Sequence, residues 1–297
     1  SDPMAFSSMA FLFGFLPVVL LCYFLIPGRR RSVRNGVLLL FSLAFYAWGG
    51  LRLLPVLLAG CLLNWAAGLL LTPGRRHRRG VFWAAAALNL LPLLYFKYTG
   101  FLLDNLNALG LELAVRDLLL PAGISFFTFQ AVSYLADVYR GTIPPERRLS
   151  RLALYTAFFP QLLQGPIVRY GDFGPLLAER RETVSDISAG GVRFCFGLAK
   201  KVLLADALGA AAAGACGAGE RLTVGLAWIG SIAYTLQLYF DFSGYTDMAL
   251  GLGRVFGLPL PENFDYPYIA RSAGEFWRRW HITLSRWFRD YVYIPLG

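Results

Sequence analysis

Seven stretches of this chain carry no charged side chain and are long enough to cross a lipid bilayer: residues 3–28, 35–51, 53–74, 80–96, 118–136, 152–168 and 222–240. A spanning helix needs roughly 20 mainly apolar residues, within a range of about 17–25. In hydrocarbon every backbone N–H and C=O must be satisfied within the structure, so such runs are read as helices. Composition agrees. Charged residues make up 15% of the chain and hydrophobic ones 57%, whereas a soluble domain carries about 25% charged residues. A secretory signal peptide has one apolar core followed by a polar mature chain; here the apolar runs recur. The pattern predicts an all-α polytopic membrane protein, with residues 4–297 as a single membrane domain. Residues 1–3, Ser-Asp-Pro before Met4, read as an expression remnant.

Charge predicts orientation. The formal net charge is +10, and only Lys97, Lys200 and Lys201 are lysines. Arginines crowd into GRRRSVR (28–34) and GRRHRR (74–79). Short loops rich in Lys and Arg stay on the cytoplasmic side. The residues between these loops suffice for a helical hairpin turning at Gly49-Gly50, which puts both loops inside and the N-terminus outside. Further crossings by 80–96 and 118–136 return the basic segment 137–151 to the inside. A crossing by 152–168 then places 169–186, net charge about −1, outside. Beyond residue 187 charges enter the apolar stretches and the bookkeeping blurs. Basic residues confined to loops that flank spans indicate a bilayer partner and not nucleic acid. His77 belongs to the second basic loop and reads as solvated.

Cys22, Cys61, Cys195 and Cys216 form no CxxC pair, so neither a disulfide framework nor a metal site is expected; they read as small core residues. No internal repeat is visible. The segment AAAGACGAGE (211–220) reads as a loop or a close helix contact.

Chemistry is expected where polar side chains break the apolar pattern, because ionisable groups at membrane depth are costly and face a cavity or a partner. In FGLAKKVLLADALG (196–209), Lys200 and Lys201 read as snorkelling to the interface. Asp206 needs a partner or water, yet it lies five and six residues from the two lysines, which is not ideal spacing for one α-helical face. In AYTLQLYFDFSGYTDMALGLG (233–253), Gln237 and Asp241 are i,i+4 neighbours, and Gly244 is read as interrupting the helix before Asp247. Such a segment either lines a wet funnel or hydrogen-bonds neighbouring helices. In EFWRRWHITLSRWFRDY (275–291), a helical reading puts His281 on a face with Trp277, Leu284 and Phe288. Arg278, Arg279, Arg286 and Arg289 fall mostly opposite. That describes an amphipathic interfacial helix with its histidine turned inward. A histidine on an apolar face is more often a hydrogen-bonded core residue than a catalyst.

The order of motifs adds to this. FYAWGG, PAGISFFTFQAVSYLADVYRG (121–141), FFPQLLQGPIVRYGDF (158–173), KKVLLAD (200–206), LYFDFSGYTDMALGLG (238–253) and ENFDYPYIARSAGEFWRRWHITLSRWFRDYVYIPLG (262–297) resemble the membrane-bound O-acyltransferase family. The likeness runs from Met4 to the end of the chain and is nearest to the branch that O-acetylates bacterial polysaccharides such as alginate. The resemblance implies a ring of roughly 8–10 membrane helices around a central funnel or tunnel, with interfacial amphipathic helices beside it. It implies a pair of histidines near the centre: His281 in RRWH as the companion residue, and a second histidine beyond Gly297 as the stronger candidate for the catalytic base. It implies no tightly bound cofactor and an acyl donor, acetyl-CoA or an acyl carrier protein, on the cytoplasmic side. It further implies an acceptor on the outer side, either the polysaccharide or a periplasmic acetyltransferase.

Acyl transfer to a hydroxyl needs a base near the attacking O–H, and histidine serves near neutral pH. On this reading His281 stands in the tunnel, Asp206, Gln237 and Asp241 line it, and Asn263 bounds a short re-entrant loop. Lys200, Lys201, Arg278, Arg279 and Arg286 receive either the donor's phosphates or lipid head groups. Two other classes stay open: a transporter or channel subunit, which the composition also fits, and a non-catalytic scaffold, for which the absence of the second histidine from these residues is the argument.

Overall fold

A computed structural model describes residues 5–72, 74, 76–111 and 120–297. Among the described residues all extended structure is helical, apart from one antiparallel bridge between Phe264 and Trp280. A π-helical turn, Ala10–Phe15, leads into α1 (Leu16–Phe24). Helix α2 (Arg31–Gly50) passes through a short 3-10 turn, Leu51–Leu53, into α3 (Leu54–Leu70), so the chain turns where Gly49-Gly50 predicted. Helix α4 (Arg78–Ala108) follows. Residues 31–70 and 78–108 are the stretches long and apolar enough to cross a membrane among the described residues. Only 33% and 17% of their most apolar windows are buried. Trp83, Leu91 and Leu94 of α4 point outward. Apolar helices this exposed suit lipid, where a water-facing surface would keep apolar patches small.

Helix α5 (Ile124–Arg140) starts and ends at left-handed glycines, Gly123 and Gly141. At Gly123 the backbone approach is tight, because an added Cβ would meet Leu162 O at 2.2 Å. Past α5 the structure departs from the expected crossing by 152–168. That run folds as α6 (Leu149–Ala157) and the single turn α7 (Phe159–Leu162). Nine residues rise about 14 Å, less than half of a hydrocarbon core about 30 Å thick. The run is free of charge because it forms the protein's own interior: Leu154, Tyr155, Ala157, Phe158 and Phe159 have no exposed surface. Phe159 joins an aromatic cluster with Phe6, Phe11, Phe15, Phe45 and Phe256. Ser42 accepts the Phe159 N–H at 3.1 Å.

The segment after it, with α8 (Tyr170–Ala178), therefore does not lie on the opposite side from the first basic loop. Glu182 accepts from Arg31 and Tyr23 and pairs with Arg34 at 3.0 Å and Arg180 at 3.4 Å. Nearby, Tyr170 bonds Glu146, and Arg78 donates to Tyr139 O at 2.5 Å. The basic segments 28–34 and 137–151 thus share one face with 169–182. Net charge could not reveal this, because the acid in 169–186 neutralises the arginines of the loop it was assigned to oppose.

Helices α9 (Val184–Ala199) and α10 (Asp206–Cys216) are joined by a π-helical turn, Lys200–Ala205. They pack along α11 (Val224–Val255), whose 32 residues extend about 48 Å. Gly244 does not interrupt α11. Its role is closeness: a Cβ on Gly197 would meet Gly244 O at 2.5 Å, and one on Gly190 would meet Gly251 O at 2.6 Å. Gly230 similarly admits Ala215 of α10, the close contact expected for 211–220. Of the cysteines only Cys61 is buried, while Cys195 and Cys216 are exposed on their helices, contrary to a shared core role.

The stretch read as one amphipathic helix is two, α12 (Ala273–Arg279) and α13 (Ile282–Phe288). His281 sits between them with φ 45° and ψ 53°, a left-handed conformation. Periodicity assumes an unbroken helix and cannot register such a break.

Candidate active site

Asn263 organises the site. It follows α11 and has no exposed surface. Its carbonyl oxygen Oδ1 accepts the Thr283 N–H at 3.1 Å and the Thr283 hydroxyl at 3.0 Å, and lies 3.1 Å from His281 Nδ1. An amide N–H can only donate, so the Thr283 contact fixes which end of the carboxamide is oxygen. Nδ1 therefore carries the imidazole's proton, and Nε2 keeps its lone pair. The Thr283 hydroxyl in turn accepts the Ile167 N–H at 3.0 Å, tying the site to the segment after α7.

Backbone bonds close the same loop. Ile282 N donates to Asn263 O at 3.0 Å, and Asp265 N donates to Arg279 O at 2.9 Å. Residues 264–280 thus leave and return at one base, which starts at Asn263. A left-handed non-glycine residue is strained; here the amide and the Phe264–Trp280 bridge hold it in place. Phe242 of α11 packs edge-on against the His281 ring at 4.9 Å, and Phe126 of α5 lies at 6.4 Å. His281 lies outside the spanning helices, and burial pushes its pKa down to about 4. At neutral pH it is an uncharged base with one nitrogen committed to Asn263.

The other predicted residues fall into separate clusters. Lys201 Nζ bridges Asp206 at 2.9 Å and Asp241 at 2.7 Å. The five-residue separation from Asp206 works because the π turn brings i and i+5 together, where an α-helix would not. Gln237 packs against Gly209 of α10. Lys200, one residue away, turns to the other side of α11 and pairs with Asp247 at 2.6 Å. Both lysines are partly exposed and engaged by acids. Arg193 joins this second cluster, bonding Asp247 at 2.9 Å and Glu262. The sequence reading passed over it, although a lone arginine in GGVRFCFG at i,i+7 from Lys200 marks the same helical stripe.

The arginines of 275–291 do not form one basic face. Arg279 pairs with Glu275 at 3.0 Å and with Asp265, inside the loop. The Arg271 amide N–H and the Arg279 guanidinium hold Glu275 below the usual carboxylate range. Arg278 is exposed. Arg286 and Arg289 line a cavity of ≈430 Å³ with Arg169, Asp172, Thr283 and Asp290. There Arg289, then Arg169, hold the Asp290 carboxyl down. Among the described residues no group of three or more His, Cys, Asp or Glu could hold a metal ion.

These observations describe a helical protein with long, exposed apolar helices and a half-buried, neutral imidazole whose tautomer is fixed by a neighbouring amide. Residues 148–297 match the profile of the membrane-bound O-acyltransferase family, and the chain belongs to that family. It is 46% identical over 302 residues to the probable alginate O-acetylase AlgI of Azotobacter vinelandii, covering 99% of this chain and 60% of that protein. It is 36% identical to the peptidoglycan O-acetyltransferase of Helicobacter pylori, covering 98% of this chain and 62% of that protein. A teichoic acid D-alanyltransferase of Bacillus subtilis is 33% identical over 58% of this chain and 44% of that protein. The chain spans about 60% of the length of the first two relatives.

Proposed function

We propose that this chain carries part of the catalytic centre of a bacterial membrane O-acyltransferase. On this proposal it moves an acyl group, acetyl in the simplest case, from a cytoplasmic thioester to a hydroxyl of an exported polysaccharide or to a periplasmic acetyltransferase. The donor is acetyl-CoA or an acylated carrier protein. The helices surround a central passage in the cytoplasmic membrane, with the basic face inside and the N-terminus outside.

The carrying observation is the pairing of His281 Nδ1 with Asn263 Oδ1, which leaves Nε2 free to accept a proton. In the reaction Nε2 takes the proton of the attacking hydroxyl as its oxygen bonds to the thioester carbonyl carbon. The C–S bond then breaks, and the imidazolium returns the proton to the departing thiolate. General-base assistance of this kind contributes about 10²–10⁴ in rate. Asn263 keeps the ring in the productive tautomer throughout.

The test is the intact protein in vesicles, given acetyl-CoA on the side of the basic loops and a polysaccharide acceptor on the other. His281→Gln is expected to reduce thiol release and polymer acetylation by about 100-fold or more. Unchanged acetylation by a folded variant refutes the proposal.

A further inference from the structure

We infer that the cavity where α9 and α11 meet the segment after α8 binds the phosphodiester head group of an anionic phospholipid. The cavity has a volume of ≈520 Å³. Arg180, Arg181, Arg193 and Arg254 line it against two acids, Asp186 and Glu262. It lies at the basic face: Glu182, next to Arg181, pairs with Arg31 and Arg34 of the first basic loop. In a membrane protein such loops lie at the level of the head groups, where anionic lipids gather around clustered arginines.

Two of the four guanidiniums are already committed. Arg180, its side chain 1% exposed, donates to Tyr23, Asn35 and the Phe256 carbonyl. Arg193 is bonded to Asp247 and Glu262. The other two are available. Arg181 is exposed and has no acidic partner among the described residues. Arg254 bonds Asp186 at 3.0 Å with its side chain still 50% exposed. One carboxylate for these two guanidiniums leaves one positive charge uncompensated. Arg31, Arg34 and Arg180 share the single Glu182 close by, which adds to the positive field. A phosphodiester carries the single negative charge that is missing, and its oxygens match the fork of a guanidinium.

The walls favour a lipid over a free anion. Leu176, Leu250, Pro259 and Leu260 line the same cavity, and a soluble phosphate makes no use of them. The glycerol backbone and first methylenes of a lipid bury apolar surface there. Beside Arg193, Val192 and Phe196 of α9 are 54% and 66% exposed. As i,i+4 neighbours they form one apolar stripe, along which an acyl chain can run. The cavity shares no residue with the one lined by Thr283 and Arg286. The assignment does not rest on acyl transfer: either can fail while the other holds.

The experiment is native mass spectrometry of the intact protein in detergent micelles, with phosphatidylglycerol and phosphatidylcholine of matched chains as probes. Phosphatidylglycerol is expected to be retained preferentially and to resist displacement by inorganic phosphate or coenzyme A. Arg181→Gln/Arg254→Gln is expected to weaken its retention by about tenfold or more. Arg29→Gln/Arg30→Gln, in the first basic loop, is expected to leave it unchanged. Should the first double variant unfold, Arg181→Gln alone, with a melting curve matching the parent, is expected to weaken retention by about threefold. Equal retention of the two lipids, displacement by either competitor, equal losses in the two double variants, or retention unchanged in a folded Arg181→Gln protein overturns the inference.

Discussion

Replacing Asn263 with alanine removes one buried oxygen and strands the donors that meet on it. The Thr283 N–H, the Thr283 hydroxyl and the His281 Nδ1–H all lose their acceptor, in a position with no exposed surface. A net contribution of about 1 kcal/mol for each hydrogen bond puts the loss near 3 kcal/mol. The left-handed conformation of His281 also loses its restraint, so the loop base at 263–282 loosens with it. Asn263→Asp keeps an acceptor at the same place and separates the two effects. Its carboxylate also favours the charged imidazolium, so His281 then titrates above its present value of about 4. Thermal unfolding of the intact protein in nanodiscs reads the first effect. Asn263→Ala is expected to melt at least about 5 °C below the parent, and Asn263→Asp to recover most of that difference. An Asn263→Ala variant that melts with the parent refutes the claim that this amide organises the site.

Further outcomes follow from other contacts. Glu182→Gln leaves Arg31, Arg34 and Arg180 around a side chain 6% exposed without its charge, and is expected to destabilise by about 3 kcal/mol in denaturant melts. Burial alone would raise the Glu182 pKa, but the hydrogen bonds from Arg31 and Tyr23 and the nearby arginines lower it from 4.5. Its stabilisation is therefore present above pH 4.5 and is lost as pH falls through the lowered value; Glu182→Gln should flatten melting curves in that window. His281 acts at higher pH. Its folded value of about 4 lies below the ordinary 6.5, so stability falls as pH drops from 6.5 toward 4, and His281→Gln removes that slope. Gly197→Ala forces a Cβ within 2.5 Å of Gly244 O and is expected to cost about 1–3 kcal/mol by prising α9 from α11.

Much of this was legible in the residues. Charge-free length located α2, α3, α4, α5 and α11, and paired glycines located the turn between α2 and α3. The order of the motifs is itself that of the family. What the sequence hid has physical causes. The run 152–168 is as apolar as a span because both a protein interior and a lipid phase exclude charge, and composition cannot tell them apart. Five residues is poor α-helical spacing for Lys201 and Asp206, whereas a π turn makes five residues one face. The break at His281 depends on a hydrogen bond to a residue eighteen positions earlier, which no local periodicity contains. The residues around Asn263 mark a loop boundary, but its grip on the imidazole exists only in the fold.

The described histidines are His77 in a loop and His281 in the site, which makes the central claim directly measurable. Nitrogen NMR of the histidine-labelled protein in nanodiscs reports which ring nitrogen holds the proton. The account predicts that His281 is neutral at pH 7, protonated at Nδ1, and unchanged on acidification to pH 5, because its pKa is about 4. A proton on Nε2, or a His281 resonance titrating near 6.5, would contradict the account.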